Sequence, residues 1–82
     1  MKYEVEFKAR SIKDLKNIAA ADRRNIVARI ETMKDNLTGD VKRLTNFSPE
    51  YRLRVGDYRV LFELEANKIV IYRVKHRREV YK

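Results

Sequence analysis

The chain has 82 residues, 20 of them lysine or arginine against 12 acidic, for a net charge of +8 at neutral pH. It contains no cysteine, which excludes disulfides and thiolate metal sites, and no apolar run approaches the roughly 18 residues of a membrane span. Its 44% hydrophobic content is enough for one folded domain over residues 1–82, and the surplus of cations points to an anionic partner.

Lys2 to Phe7 alternates at period two, with Tyr3, Val5 and Phe7 on one side, as a half-buried strand does. Ser11 followed by Asp14 is a weak capping box, and Ile12, Leu15, Ile18 and Ala19 continue at helical spacing. Asp22 is placed to cap a second helix, with an apolar stripe of Ile26, Val27, Ile30, Met33 and Leu37. Arg23, Arg24 and Arg29 read as its solvated face, and Gly39 is available for a left-handed cap. Val41 to Leu44 is a short strand and Asn46 to Pro49 a loop. Three strands close the chain at about 50–55, 58–65 and 68–75, joined by Gly56-Asp57 and by Ala66-Asn67, with Asn67 able to take positive φ. The expected fold is α+β: an N-terminal strand, a helical hairpin, then an antiparallel meander sheet with both helices on one face.

The Gly-X turn at Gly56-Asp57 suits a type II′ hairpin and thereby sets its register. Val55 then faces Tyr58, Leu53 faces Val60 and Tyr51 faces Phe62 on an apolar side, extended by Leu64, Ile69 and Ile71, that receives the helices. The same register sets Arg54 opposite Arg59 on the other side, with Arg52 alongside. Like charges paired across strands are destabilising, so an anionic ligand best explains the cluster. Period two adds Leu61 of the middle strand, and Tyr72, Val74 and His76 along and just past the last one, to this open side. Basic groups interleaved with aromatic and aliphatic surface make a cradle suited to an RNA strand. Tyr72, Arg73, Arg77 and Arg78 join Arg52, Arg54 and Arg59 as candidate RNA contacts.

The stretch Tyr51-Arg52-Leu53-Arg54-Val55-Gly56-Asp57-Tyr58-Arg59-Val60, together with His76-Arg77-Arg78-Glu79-Val80-Tyr81, resembles the RelE/ParE superfamily of toxin–antitoxin toxins. The helical hairpin upstream has the matching length and place, so the resemblance covers nearly the whole chain. It implies a cytoplasmic toxin, covered by an acidic antitoxin and acting on messenger RNA in the ribosome without a metal or other cofactor. ParE-like members share the fold but poison DNA gyrase. A third expectation is a member without activity that serves only to bind antitoxin. The resemblance further implies that Arg59 is a phosphate-binding arginine, and that Arg77 and Tyr81 match the C-terminal arginine and terminal tyrosine. Arg52 and Arg54 fall where well-known members carry lysines. A crowded lysine can lose its proton and arginine effectively cannot, so neither position suits a general base.

Metal-free RNA cleavage requires in-line attack by a 2′-hydroxyl, removal of its proton, protonation of the leaving 5′-oxygen and neutralisation of the phosphorane. Arg54 and Arg59 suit the last task, since a guanidinium offers paired donors to phosphate oxygens. The plain alternative for Arg59 is an exposed sheet arginine bridging to Glu63 or Glu65. His76 is the chain's one histidine, the residue type that ordinarily titrates near neutrality. It is either a catalytic base or an incidental strand-end residue. Tyr81 is either an acid–base group or a tyrosine packed on the sheet edge, and Arg77 and Arg78 either bind phosphate or solvate the tail. Asp22, Glu31 and Asp35 form no metal set with the histidine, and no nucleotide-loop spacing occurs.

Overall fold

The computed structural model describes residues 1–80. In chain order the elements are β1 (Glu4–Phe7), α1 (Ala9–Lys16), α2 (Ala20–Met33), β2 (Val41–Arg43), β3 (Tyr51–Val55), β4 (Tyr58–Glu65), β5 (Lys68–His76) and α3 (Arg77–Val80). The strands form one sheet in the order β1-β5-β4-β3-β2. The β2–β5 pairings are antiparallel, as a meander requires, while β1 returns to the far edge and pairs with β5 in parallel. The sheet is therefore mixed, because the α-hairpin between β1 and β2 carries the chain back to start a second run.

The core lies where the apolar periodicities meet. Leu15 of α1 and Ile26, Ile30 and Met33 of α2 pack with Leu53, Val55, Val60, Phe62, Ile69, Ile71 and Val74 of the sheet, all buried. Both helices thus serve the same face. Tyr51 stacks on Phe62 at that face, with ring centroids 5.5 Å apart and planes 19° from parallel.

The helix starts differ from the expected caps. Helix α1 begins at Ala9 behind an extended Lys8, and no side chain caps it. Ser11 lies inside the helix, buried, and its hydroxyl donates to the Lys8 carbonyl at 2.7 Å. Helix α2 begins at Ala20, so Asp22 occupies the first turn instead of the cap. Its negative charge there still favours the helix dipole. Val27 is 38% exposed and Ile12 is exposed too, so the apolar stripes are narrower than the sequence suggested. After α2, Asn36 and Leu37 (φ 56° and 57°) make the left-handed turn, and Gly39 follows with positive φ as well (128°).

Positive φ at Gly56 (57°) and not at Asp57 fits the type II′ pattern of the β3–β4 hairpin. Ala66 (φ 56°), and not Asn67, takes the corresponding position between β4 and β5.

One irregularity reorganises the sheet's second face. Phe62 pairs with Ile71 and Leu61 with Arg73, leaving Tyr72 as an extra residue in β5. Such a bulge inverts the facing of everything beyond it. Val74 consequently turns into the core and His76 pairs with Tyr58, so neither belongs to the open face as period two had implied. Arg73 and Lys75 take their places, opposite Leu61 and Arg59.

Candidate functional site

With the registers known, the open face can be built row by row. One row runs Arg54–Arg59–Lys75 across β3, β4 and β5. The next runs Lys42–Arg52–Leu61–Arg73 across β2 to β5. Directly paired residues on antiparallel strands lie about 4.5–5.5 Å apart at Cα. Three of these pairings, Lys42–Arg52, Arg54–Arg59 and Arg59–Lys75, set cation against cation. The sequence had shown one of them. The other two depend on the β2 register and on the bulge.

Intramolecular acceptors offset part of this repulsion. Asp40, just before β2, receives Arg52 Nη1 on its backbone oxygen at 2.8 Å and on Oδ1 at 3.2 Å. Its Oδ2 lies 3.6 Å from Arg54 Nε, and its carbonyl accepts the Arg54 backbone N–H. The Arg52 side chain is only 13% exposed, whereas that of Arg54 is 57% exposed. Arg52 is thus a held strut, while Arg54 presents its guanidinium to solvent. Arg59 Nη1 donates to the carbonyls of Gly56 and Tyr58 at 2.8 and 2.9 Å, which draws it over its own turn.

Arg73 is gripped more firmly. Its Nε and Nη2 donate to the two oxygens of Asp14 on α1 at 2.8 and 3.1 Å, and the same carboxylate accepts the Val74 backbone N–H at 2.9 Å. The β1–β5 pairing ends at Ile71, so Asp14 caps a β5 edge that β1 has left. Burial pushes the Asp14 carboxyl up, but the hydrogen bonds from Arg73 and Val74 and the nearby Arg10 charge outweigh it, holding the pKa below its ordinary 3.8. Arg73 is raised in turn, chiefly by its hydrogen bond to Asp14. Its guanidinium is a brace between helix and sheet as well as part of the cationic face.

Helix α3 begins with the Arg77 backbone N–H on the Asp57 carbonyl at 2.7 Å and Arg77 Nε 3.7 Å from Asp57 Oδ1. The chain end is therefore tied to the β3–β4 turn beside Arg59. Arg77 and Arg78 are exposed, and Val80 is buried, outside the helix-side core. His76 sets its ring edge-on to Tyr58 (centroids 5.5 Å, 79°), and its Nδ1 accepts the Arg78 N–H at 3.3 Å. It pairs with Tyr58, on the face opposite the one that carries Arg54, Arg59 and Lys75. A hollow of about 230 Å³ opens between α1, β5 and α3, lined by Asp14, Tyr58, Arg73, Lys75, His76 and Glu79 among others. Tyr72, the bulge residue, has its ring 5.7 Å from Lys8 Nζ and its hydroxyl 3.4 Å from Glu65. Tyr81 lies outside the described residues. Among those residues no grouping of three or more histidine, aspartate or glutamate side chains is suited to hold a metal ion, and no helix is long and apolar enough to cross a membrane.

Sequence reasoning missed four participants. Lys42 and Lys75 join the cationic rows, and Asp14 and Asp40 brace them. The signal for Lys75 was present: Arg73-Val74-Lys75 puts its apolar residue out of phase with Ile69 and Ile71.

A five-stranded mixed sheet, an α-hairpin on one face and arginines across the other define a class of small basic proteins with a shared architecture. The family described as "ParE toxin of type II toxin-antitoxin system, parDE" matches residues 5–81. Toxin RelE3 of Methanocaldococcus jannaschii is 32% identical over 83 residues, covering 95% of this chain and 94% of the relative. Among solved structures, the RelB–RelE antitoxin–toxin complex from Methanococcus jannaschii matches with TM-score 0.76 and 33% identity over 92% of this chain and 93% of that one. The archaeal RelE–RelB complex from Pyrococcus horikoshii matches with TM-score 0.75 and 25% identity, covering 96% and 99%. The chain belongs to the RelE/ParE toxin family of type II toxin–antitoxin systems.

Proposed function

We propose that this toxin is an endoribonuclease that cuts messenger RNA at the ribosome, in the cytoplasm, without a metal, and is silenced by an acidic antitoxin. The observation that carries this reading is the Arg54–Arg59–Lys75 row, three cations in register across three strands. Such a row opposes folding and favours a bound phosphate. In the reaction the 2′-oxygen–phosphorus bond forms and the phosphorus–5′-oxygen bond breaks, leaving a 2′,3′-cyclic phosphate and a 5′-hydroxyl. Arg54 and Arg59 neutralise the charge gathered on the phosphorane oxygens. Arg52 supports Arg54 through their shared Asp40, and Arg73, Arg77, Arg78 and Tyr72 extend the contact along the strand. Tyr81 is assigned an acid–base or base-stacking role on its match to the family's terminal tyrosine. The antitoxin is proposed because the solved relatives are complexes with RelB-type partners.

Primer extension on messenger RNA in a translation extract tests the reading. Wild-type protein is expected to produce new 5′ ends, and Arg59→Ala to produce them about a hundredfold more slowly, the usual consequence of losing one charge-stabilising contact. An Arg59→Ala protein as active as wild type would overturn this assignment. The ParE description of the matching family favours a second reading, a gyrase-directed toxin. Double-strand DNA breaks appearing before any messenger RNA ends would select it.

A further inference from the structure

Resting on the nuclease reading, we infer that Lys75 is a further catalytic residue, the proton donor to the leaving 5′-oxygen. The opposing cations on its row are arginines, which cannot release a proton at any working pH. They can stabilise the phosphorane but cannot convert a departing alkoxide into an alcohol. A lysine ammonium can. Lys75 enters the row only because the Tyr72 bulge turns it there, directly across from Arg59 and one strand further from Arg54. It differs from its neighbours in a second way. Asp40 holds Arg52 and Arg54, Asp14 holds Arg73, and turn carbonyls accept from Arg59. Among the described residues, no ion pair or hydrogen bond engages the Lys75 amine. It is half-buried at the rim of the hollow between α1, β5 and α3.

The step balances. The 2′-oxygen attacks phosphorus and its proton leaves to bulk water. As the phosphorus–5′-oxygen bond breaks, its electron pair takes a proton from Lys75 Nζ, and the neutral amine is then reprotonated from water. A general acid of this kind contributes typically 10²–10⁴-fold to the rate.

The test compares ordinary messenger RNA with the same RNA carrying a 5′-bridging sulfur at the scissile linkage, both on programmed ribosomes. A thiolate leaves without protonation. Lys75→Arg keeps the charge and Lys75→Ala removes it, so both are expected to cut ordinary RNA at least a hundredfold more slowly than wild type. Both are expected to cut the sulfur-bridged RNA within a fewfold of wild type. Lys42→Ala, which deletes one cation from the far edge of the same face, should lose equally on both substrates. Wild-type-like cleavage of ordinary RNA by Lys75→Arg overturns the inference, as does an equal defect of both Lys75 variants on the two substrates. Failure of wild type on both RNAs would instead remove the nuclease reading, and this assignment with it.

Discussion

The two faces of the sheet follow opposite rules. On the helix side most cross-strand pairs join apolar groups, Leu53 with Val60 and Tyr51 with Phe62 among them, and these residues meet the α-hairpin in a buried core. On the other side the same strands, in the same register, set Arg54 against Arg59 and Arg59 against Lys75. One backbone serves both, so the difference lies in side chains alone. A domain this small has little stability to spare, and the repulsion is tolerable because the helix side supplies the cohesion. Local disagreement with the rules of folding is what marks a face made for a ligand.

If that division is right, the two faces must answer mutation differently. The largest effect is expected from Phe62→Ala. Phe62 has no solvent exposure and stacks on Tyr51. Truncating such a residue costs about 3–5 kcal/mol, which would leave little folded protein in a denaturant titration. A loss below about 1 kcal/mol would mean that the core can collapse around the gap and that the helix side is not the source of cohesion.

Asp14→Asn probes the brace that crosses between the faces, and its effect should be intermediate. Hydrogen bonds to a charged group contribute about 1.5–3 kcal/mol, and Asp14, with its side chain 17% exposed, serves both Arg73 and the Val74 N–H. Its carboxyl pKa is lower in the folded protein than in the unfolded chain. The stabilisation is therefore complete above the unfolded value and disappears as pH falls through the depressed folded one. Wild type and Asp14→Asn should differ in thermal midpoint at neutral pH, and the gap should begin to close as pH falls past about 3.8 and vanish below the lower folded value. A gap that persists unchanged in strong acid would assign the effect to packing instead of charge.

The outline of this division was legible in the chain. Gly56-Asp57 set the hairpin register, because a two-residue turn with a glycine at its first position admits few pairings. The apolar alternation then assigned the helix side. The β5 bulge escaped because period two, continued past Tyr72, still places an apolar Val74 and a ring at His76 on plausible sites. Val74, out of phase with Ile69 and Ile71, was the one local hint, and the tertiary pairing decides between the two phasings. Asp14 and Asp40 escaped for a different reason. Asp14 meets Arg73 across 59 residues of sequence, and a local capping role was available to explain it. Asp40 reaches two arginines through a loop whose path no periodicity specifies. Helix α3 is a single turn, too short to show a helical pattern. Pairings that span strands or distant elements leave little local trace, and these are the ones that complete the site.

The smallest expected change is the most discriminating, because its sign is unusual. Arg54→Thr removes one cation from the Arg54–Arg59 pair and substitutes a β-branched residue suited to a strand. It also loses the 3.6 Å contact with Asp40, but for a side chain 57% exposed such an ion pair contributes little. Cross-strand pairs contribute about 0.2–1 kcal/mol in either direction, so the substitution should raise the thermal midpoint by a degree or more. On the proposed mechanism the same protein should lose about a hundredfold in cleavage, as expected when one phosphate-stabilising guanidinium is removed. Stability gained with activity lost is the outcome that a ligand-directed face demands. Should Arg54→Thr prove less stable than wild type, the like-charge row would be no burden on the fold, and the contrast between the two faces would collapse.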